Sequence, residues 1–340
     1  MPGTVGPAVA KKLFPARVPP ARLRSARGAG DDYGVTDPPD WRAIDWPSHL
    51  HQMDFEGRRV NYADIGEQGT ERPIVFVHGL GGQWQNWLEN IPRLAQERRV
   101  VALDLPGFGC SELPRDPISI ELYGRAVAEL CRRLDLGPVV LVGNSMGGFV
   151  SAEVAIRSPE IAERLMLVAS AGVSQMELAK RPVMAMAKAA GLLVTDNVVQ
   201  MRATAVRPRT RHWAMAIVAR HPSRLKADTM FEGMMKGAAK PGFEPALRAN
   251  LDYDFRDRLP EIGCPVLVVW GEKDMIIPVS DADTFVELIP GARKIVMENT
   301  GHVPMVERPP TFNDLLTDFL TYQVSEGELE GAVRPTSQRA

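Results

Sequence analysis

Short apolar runs alternate with amphipathic stretches along most of this 340-residue chain. Six runs have the length and the Val, Ile and Leu content of buried parallel strands: Pro73–Val77, Val100–Leu103, Val139–Val142, Leu165–Ala169, Pro265–Trp270 and Lys294–Met297. Between and after them, Ile120–Leu134 and Phe312–Leu320 each place their apolar residues on one helical stripe. This alternation predicts an α/β fold with a doubly wound, mostly parallel sheet and helices on both faces.

The alternation stops between residues 173 and 250, where no strand-like run occurs. This segment has helical propensity and carries eight methionines: Met176, Met184, Met186, Met201, Met215, Met230, Met234 and Met235. The strand pattern resumes at Pro265, so we predict a helical cap inserted late in the sheet. The predicted organisation is a core of residues 41–172 and 251–322, a cap of residues 173–250, and two disordered tails, residues 1–40 and 323–340.

The composition is that of a globular protein, with 45% hydrophobic and 24% charged residues. Three widely separated cysteines, Cys110, Cys131 and Cys264, predict neither a disulfide framework nor a zinc site and favour a reducing compartment. No run approaches the roughly 20 apolar residues of a membrane span. Prolines interrupt the basic N-terminus where a secretory signal would be apolar. We therefore expect a cytoplasmic protein.

The net charge of −2 gives no case for nucleic-acid binding, but positive charge is concentrated in two segments. The cap, residues 173–250, has 13 Lys and Arg against 5 Asp and Glu, a net charge of +8. The N-terminal tail carries six basic residues: Lys11, Lys12, Arg17, Arg22, Arg24 and Arg27. We expect this tail to be solvated, and a weak contact with an anionic lipid surface or with a partner is the alternative.

The strongest local motif is Gly143-Asn144-Ser145-Met146-Gly147, a G-x-S-x-G sequence between a predicted strand and a predicted helix. This context predicts a tight turn that holds Ser145 in a strained conformation at a helix N-terminus. Gly143 and Gly147 let the strand and the helix approach closely. We predict that Ser145 is a nucleophile rather than an incidental serine of a glycine-rich turn.

A serine hydroxyl needs a base to take its proton. His302 lies in the loop between the last predicted strand and the last predicted helix. Because the carboxyl ends of parallel strands share one edge of a sheet, this loop is expected beside the Ser145 turn. The other candidates lie elsewhere: His51 before the first predicted strand, His212 and His221 in the cap, and His78 at the start of a glycine-rich loop. We predict that His302 is the base and that His78 is structural.

The base needs a carboxylate to fix its tautomer and to stabilise the imidazolium. Asp274 lies four residues beyond the strand run Pro265–Trp270, at the tip of a loop, and Glu272 is its near competitor. We favour Asp274 because the residues that follow it lead into another helix.

A tetrahedral oxyanion needs preorganised donors. The N–H of Met146, directly after the nucleophile, is one predicted donor. The second is expected from the loop His78-Gly79-Leu80-Gly81-Gly82, where we name the N–H of Leu80.

With these pieces in place, the chain from about Phe55 to Tyr322 resembles the α/β-hydrolase family. Five motifs carry the resemblance in the family's order: His78-Gly79-Leu80-Gly81, Asp104-Leu105-Pro106-Gly107-Phe108-Gly109, Gly143-Asn144-Ser145-Met146-Gly147-Gly148, Gly271-Glu272-Lys273-Asp274 and Gly301-His302. The resemblance implies the chain order nucleophile, acid, base. It also implies a structural role for the loop Asp104–Gly109.

The family contains many activities, so the fold does not decide the reaction. Dehalogenases and epoxide hydrolases of this type carry an aspartate as nucleophile, and Ser145 argues against both. Members with a serine include esterases, monoacylglycerol lipases, cofactor-free haloperoxidases and carbon–carbon bond hydrolases of aromatic ring-cleavage pathways. Some proteins of this fold bind a ligand without turnover. The motif around Ser145 does not separate these classes.

The cap is the remaining discriminator. A methionine-rich surface suits a flexible acyl chain, although the methionines would equally form the cap's own core. We favour hydrolysis of a small-molecule ester or lipid with a medium or long acyl chain. A carbon–carbon bond hydrolase would need a basic pocket for a dienol carboxylate, for which Arg207, Arg209 or Arg211 would serve. We expect no cofactor and no metal, since the glycine-rich loops lack a P-loop lysine and dinucleotide-binding spacing.

Overall fold

Eight strands form one sheet in the computed structural model, which describes residues 30–67, 69, 71–174, 198–235 and 240–321. The strands are β1 (Leu50–Phe55), β2 (Arg58–Ile65), β3 (Ile74–Val77), β4 (Val100–Leu103), β5 (Val139–Asn144), β6 (Ala162–Val168), β7 (Val266–Gly271) and β8 (Arg293–Met297). Their order is β1-β2-β4-β3-β5-β6-β7-β8, and every neighbouring pair from β4 to β8 is parallel. The six predicted strands and the mostly parallel sheet are confirmed.

The described helices are α1 (Ile91–Leu94), α2 (Ile120–Arg133), α3 (Met146–Arg157), α4 (Val198–Val206), α5 (Pro208–Met215), α6 (Ala227–Met230), α7 (Phe243–Asp252), α8 (Ser280–Leu288), α9 (Pro304–Glu307) and α10 (Pro309–Thr321). Two short helical segments matter for the site, the 3-10 helix Trp84–Trp87 and the π-helix Phe231–Met235. None of the described helices is long and apolar enough to cross a bilayer.

The first two strands form an antiparallel hairpin that the sequence analysis did not predict. Its turn has positive φ at both Glu56 (52°) and Gly57 (73°), which is the backbone that a two-residue hairpin requires. β2 then pairs antiparallel with β4 and so extends the parallel sheet by two strands. The signal was present, because the side chains of Met53 and Phe55 are buried on alternate positions of β1.

Apolar side chains cover both faces of the sheet, as a doubly wound fold requires. Along β5, Val139 and Leu141 pack into the cluster that contains α2, α3 and α8. Val140 and Val142 point the other way, into the cluster that contains α1, α10 and the buried side chains of the cap. The near-continuous apolar run of β5 therefore follows from burial on two sides.

The described part of the predicted cap is helical, with α4 to α7 and no strand between residues 198 and 235 or 240 and 250. The cap residues 175–197 and 236–239 lie outside the described residues, with Met176, Met184 and Met186 among them. So do residues 1–29 and 322–340, which include most of the two predicted tails.

The predicted disordered tail extends too far at its inner end, because residues 30–40 pack against the core. Tyr33 is 3% exposed, and its hydroxyl lies between α9 and the cap. Asp32 accepts from the guanidinium of Arg308 at 2.7–3.0 Å. Asp37 accepts from Arg93 at 2.7 Å and from Asn313 at 2.9 Å. These partners are 56 to 276 residues away along the chain, beyond any local pattern.

Candidate active site

Ser145 lies in the turn between β5 and α3, with backbone angles φ 56° and ψ −121°. A residue with a side chain pays on the order of 1–3 kcal/mol for such a conformation, so the surroundings must hold it there. The Ser145 N–H donates to the carbonyl of Val168 at 2.9 Å, and the Ser145 carbonyl accepts from Ala171 at 3.0 Å. The strained turn is therefore fixed by the end of β6, at the N-terminus of a 12-residue helix.

The two glycines of the motif are required by close backbone contacts. A Cβ atom on Gly147 would lie 2.1 Å from the carbonyl oxygen of Val77. A Cβ atom on Gly143 would lie 2.2 Å from the carbonyl oxygen of Gly147. Both contacts are with backbone atoms that cannot move aside. The close approach of strand and helix, predicted from the motif, is thus present in the structure.

His302 and Asp274 meet through their side chains, with 2.7 Å between Nδ1 and Oδ2. The exposed fractions of the two side chains are 6% and 0%. The other carboxylate oxygen of Asp274 accepts from the N–H groups of Ile276 and Ile277 at 2.8 and 3.0 Å. The carboxylate is therefore fixed at both oxygens, and it engages Nδ1 so that Nε2 is the ring nitrogen that can accept a proton.

Glu272, the competing acid, is oriented elsewhere. Its carboxylate accepts from the N–H of Asn299 at 2.9 Å and from the ammonium of Lys273 at 2.6 Å. Its side chain is 41% exposed. Of the two acids, the structure brings only Asp274 to His302.

The Ser145 turn and the His302 loop are joined by Asn144, the residue before Ser145. Its side-chain amide donates to the carbonyls of Val168 and His302, both at 3.1 Å. The end of β7 approaches the same loop, since a Cβ atom on Gly271 would lie 2.0 Å from the carbonyl oxygen of Gly301. The three predicted triad residues thus lie at one edge of the sheet, as the shared direction of the strands requires.

The loop after β3 passes directly over the Ser145 turn. A Cβ atom on Gly79 would lie 3.0 Å from the Cβ atom of Ser145. Gly81 has φ 72°, which lets the chain reverse next to Leu80. Met146 is the first residue of α3, so its N–H is one of the helix's four orphan donors. The oxyanion roles of Leu80 and Met146 remain predictions; Leu80 directly follows Gly79, and Met146 directly follows Ser145.

His78 has two partners that fix its structural role. Its Nδ1 donates to the carbonyl of Gly79 at 2.7 Å, and its Nε2 accepts from the N–H of Leu105 at 3.0 Å. Complete burial lowers the pKa of His78 to about 4, so the ring is neutral at pH 7. It ties the loop after β3 to the loop after β4.

Asp104 organises the loop after β4. Its carboxylate accepts from the N–H groups of Trp84 and Cys110, both at 2.8 Å, and from the side chain of Asn61 at 2.9 Å. Burial raises the pKa of this carboxyl despite the three donors. A Cβ atom on Gly109 would lie 2.1 Å from the carboxyl group, so the loop closes tightly around it. This agrees with the structural role that the family resemblance implied.

Glu307 is a buried acid that the sequence analysis missed. Its carboxylate accepts from Gly301 N–H at 2.9 Å, from Arg220 N–H at 2.7 Å and from the hydroxyl of Tyr33. It thereby joins the His302 loop, the base of the cap and the N-terminal segment. Burial raises the pKa of the carboxyl. The available signal was an acid closing an otherwise apolar stretch, residues 303–306.

Arg211 of the cap is structural. Its guanidinium donates to the backbone carbonyls of Pro222 and Ser223, each at 2.9 Å, and to that of Ala205. The residue is 6% exposed. Arg207 and Arg209, the other two candidates for a carboxylate pocket, are exposed.

The comparison with known families identifies the family of this chain. Residues 72–309 match the family described as the alpha/beta hydrolase fold, which is more than half of the chain. The chain belongs to the α/β-hydrolase family. It is a hydrolase of this fold, and its relatives include both esterase- or lipase-like enzymes and carbon–carbon bond hydrolases.

Two relatives and one solved structure show which proteins this chain is similar to. The chain is 34% identical over 271 residues to a dihydrolipoyllysine-residue acetyltransferase component of an acetoin cleaving system from Pseudomonas putida, covering 78% of this chain and 67% of the relative. It is 30% identical over 282 residues to a 2-hydroxy-6-oxo-2,4-heptadienoate hydrolase of the same species, covering 78% and 93%. The crystal structure of a membrane phospholipase A matches with a TM-score of 0.63 and 27% identity, covering 80% and 85%.

Proposed function

We propose that this α/β-hydrolase is a serine hydrolase that cleaves carboxylic esters through an acyl-enzyme at Ser145, with preference for a medium or long acyl chain. The observation that carries the proposal is the buried His302–Asp274 pair, 2.7 Å apart, at the sheet edge that also bears the strained Ser145 turn. An incidental serine would need neither the strained backbone nor an oriented histidine nearby.

The proposed reaction has two halves. His302 Nε2 takes the Ser145 proton as the serine oxygen attacks the ester carbonyl carbon, and Asp274 stabilises the imidazolium. The N–H groups of Leu80 and Met146 hold the oxyanion. The alcohol leaves with the proton from His302. Water, deprotonated by the same histidine, then attacks the acyl-enzyme and releases the acid, which restores Ser145.

The arginines of the cap favour an ester over a dienol carboxylate. The guanidinium of Arg211 is already occupied by three backbone carbonyls. Arg207 and Arg209 are exposed. Within the described cap, none of these three candidates therefore offers a buried cation beside the nucleophile. The relative named as a heptadienoate hydrolase keeps carbon–carbon bond cleavage as the second candidate.

The described methionines support an apolar site formed by only some of the eight methionines of the predicted cap. Met201 and Met230 are buried in the core cluster on one sheet face, where they act as packing residues. Met215, Met234 and Met235 are only partly buried against that cluster. The side chain of Asn86 donates to the carbonyl of Gly233, in the same π-helix as Met234 and Met235. These two methionines therefore lie near the loop that follows Leu80, where an acyl chain would pass.

Labelling with a fluorophosphonate probe tests the nucleophile directly. We expect the wild type to be labelled and Ser145→Ala to be unlabelled, with kcat for a p-nitrophenyl ester reduced by about 10⁴- to 10⁶-fold. The matched control is Ser151→Ala, in helix α3, which follows Ser145. This change removes a buried hydroxyl that has no hydrogen-bond partner among the described residues. Near-wild-type turnover in folded Ser145→Ala would exclude the mechanism, as would equal loss in Ser151→Ala.

A substrate series separates the two candidate reactions. For an acyl site, kcat/KM for p-nitrophenyl esters from acetate to laurate should rise about fourfold per methylene, from about 0.8 kcal/mol of burial each, until the site is full. A flat ester series together with fast cleavage of a ring-cleavage dienoate would favour the carbon–carbon bond hydrolase and reject the ester proposal.

A further inference from the structure

The segment from α4 to Arg220 has an unusual surface. Residues 198–220 contain five arginines and no aspartate or glutamate. The same segment holds four of the nine exposed large apolar side chains of the described residues: Val199 (76%), Val206 (58%), Trp213 (64%) and Ile217 (40%). Exposed apolar groups among like charges are unfavourable for a surface that meets only water.

On each of the two helices, α4 and α5, several exposed side chains follow one another along one face. Val199, Arg202 and Val206 follow one another at spacings of three and four residues, and so lie on one face of α4. Arg209 and Trp213, four residues apart, do the same on α5. We call the set Val199, Arg202, Val206, Arg207, Arg209, Trp213 and Ile217 the cap surface.

The residues opposite the cap surface are held by packing and by hydrogen bonds. Met201 and Ala205 are buried in the core cluster, and Arg211 fastens α5 to the end of α4 and to the segment after it through three backbone carbonyls. The exposure of Trp213 is therefore imposed by the packing of the opposite face. An indole held outward in this way is available to a partner.

The cap surface ends next to the proposed active site. The carbonyl of Val218, which follows Ile217, accepts from the N–H of His302 at 2.8 Å. Met275, which directly follows Asp274, is 63% exposed. Exposed apolar side chains thus adjoin two residues that contact His302.

We propose that the cap surface docks on an anionic lipid bilayer and so presents the active site to lipid esters, an inference that rests on the proposed ester hydrolysis. Trp, Val and Ile side chains suit the boundary between headgroups and acyl chains, and the arginines suit lipid phosphates. The complete lack of acidic residues between 198 and 220 supports an anionic surface rather than a neutral one.

Co-sedimentation with vesicles tests the docking. The full chain carrying Ser145→Ala, which removes turnover, is mixed with phosphatidylcholine vesicles with or without an equal amount of phosphatidylglycerol. We expect binding to the anionic vesicles and little to the neutral ones. Reversing Arg207 and Arg209 to Glu should weaken binding by about 25-fold or more, at about fivefold per basic residue.

Two controls keep the result specific. The double change Arg132→Glu and Arg133→Glu alters the net charge by the same amount at the end of α2, which lies outside the cap. This variant should bind vesicles nearly as well as the unchanged protein. Trp213→Ala should weaken binding several-fold, whereas Leu113→Ala, at an exposed leucine outside the cap, should not. Thermal unfolding of each variant checks that it is folded.

Three outcomes would overturn the inference: no binding to anionic vesicles, equal losses in the cap and core charge variants, or binding that is lost only when the six N-terminal basic residues are changed to Gln. Sedimentation measures no turnover, so it is independent of a separate ester hydrolysis assay of the wild type. Vesicle binding together with no ester hydrolysis by the wild type would refute the proposed function alone. Hydrolysis of soluble esters without vesicle binding would refute the docking alone.

Discussion

At the scale of single residues, the site depends on how a loop orients two acids that are two positions apart. The Asp274 carboxylate closes its own turn by accepting from Ile276 and Ile277, which leaves Oδ2 for His302. Glu272 points to Asn299 and Lys273 instead. The sequence indicated Asp274 through its place at the loop tip. The two hydrogen bonds from Ile276 and Ile277 that orient the Asp274 carboxylate could not be predicted from the sequence pattern.

Exchanging each acid for its amide tests that assignment. Asp274→Asn should lower kcat by about 10⁴-fold, because the amide N–H favours the wrong histidine tautomer. Glu272→Gln should change kcat little, since its carboxylate does not contact the ring. Steady-state kinetics with one soluble ester would measure both. The opposite ranking would transfer the role to Glu272.

At the scale of elements, the sequence predicted what local periodicity encodes. All six apolar runs became strands, and the stripe Ile120–Leu134 became the helix Ile120–Arg133. The β1–β2 hairpin was not predicted because its strands have few apolar residues on one face. Large apolar residues stand mainly at alternate positions, so neither strand forms a continuous apolar run. The packing of residues 30–40 escaped because it depends on polar partners such as Arg308, more than 270 residues away.

Glu307 shows how three elements depend on one side chain. It accepts from the His302 loop through Gly301, from the base of the cap through Arg220, and from the N-terminal segment through Tyr33. Glu307 holds Gly301, the residue directly before His302, through its carboxylate. We therefore treat Glu307 as a positioning residue, which acts through the His302 loop. In the proposed mechanism, a misplaced His302 should slow the chemistry more than it weakens substrate binding.

We therefore expect Glu307→Gln to lower kcat by about 10- to 100-fold with a smaller change in KM. The amide places an N–H group against N–H and O–H donors, so the free energy of unfolding should also fall by about 1–3 kcal/mol. Kinetics well below the unfolding temperature separate the two effects. Glu298→Gln, an exposed acid before the same loop, is the matched control. A stability loss with unchanged kcat would reduce Glu307 to a purely structural role.

At the scale of the whole molecule, the segment before β1 fastens the cap to the core. Arg42 donates to Asp228 of the cap at 2.8 Å, and Lys226 donates to Thr36 at 2.6 Å. Asp32 pairs with Arg308 of the core. The cap and the core are thus connected through polar contacts of this segment and through the apolar packing of Met201 and Met230.

His78 gives the stability of the folded protein a defined pH dependence. Its pKa falls from an ordinary 6.5 to about 4 in the folded protein because burial disfavours the charged ring. The unfolded chain therefore binds a proton between these values that the folded protein does not. The stability contributed by the neutral ring is complete above pH 6.5. It is lost as the pH falls towards 4, by at most about 1.4 kcal/mol per pH unit and about 3 kcal/mol in all.

Urea unfolding at a series of pH values from 7.5 to 4 (about neutral to the folded pKa) would measure this loss. In His78→Gln the amide oxygen can still accept from the N–H of Leu105, but nothing titrates, so its stability should fall less steeply than that of the wild type. His51→Gln, at an exposed histidine of β1, should keep the wild-type slope. Parallel curves for wild type and His78→Gln would show that the buried ring does not account for the acid sensitivity of the fold.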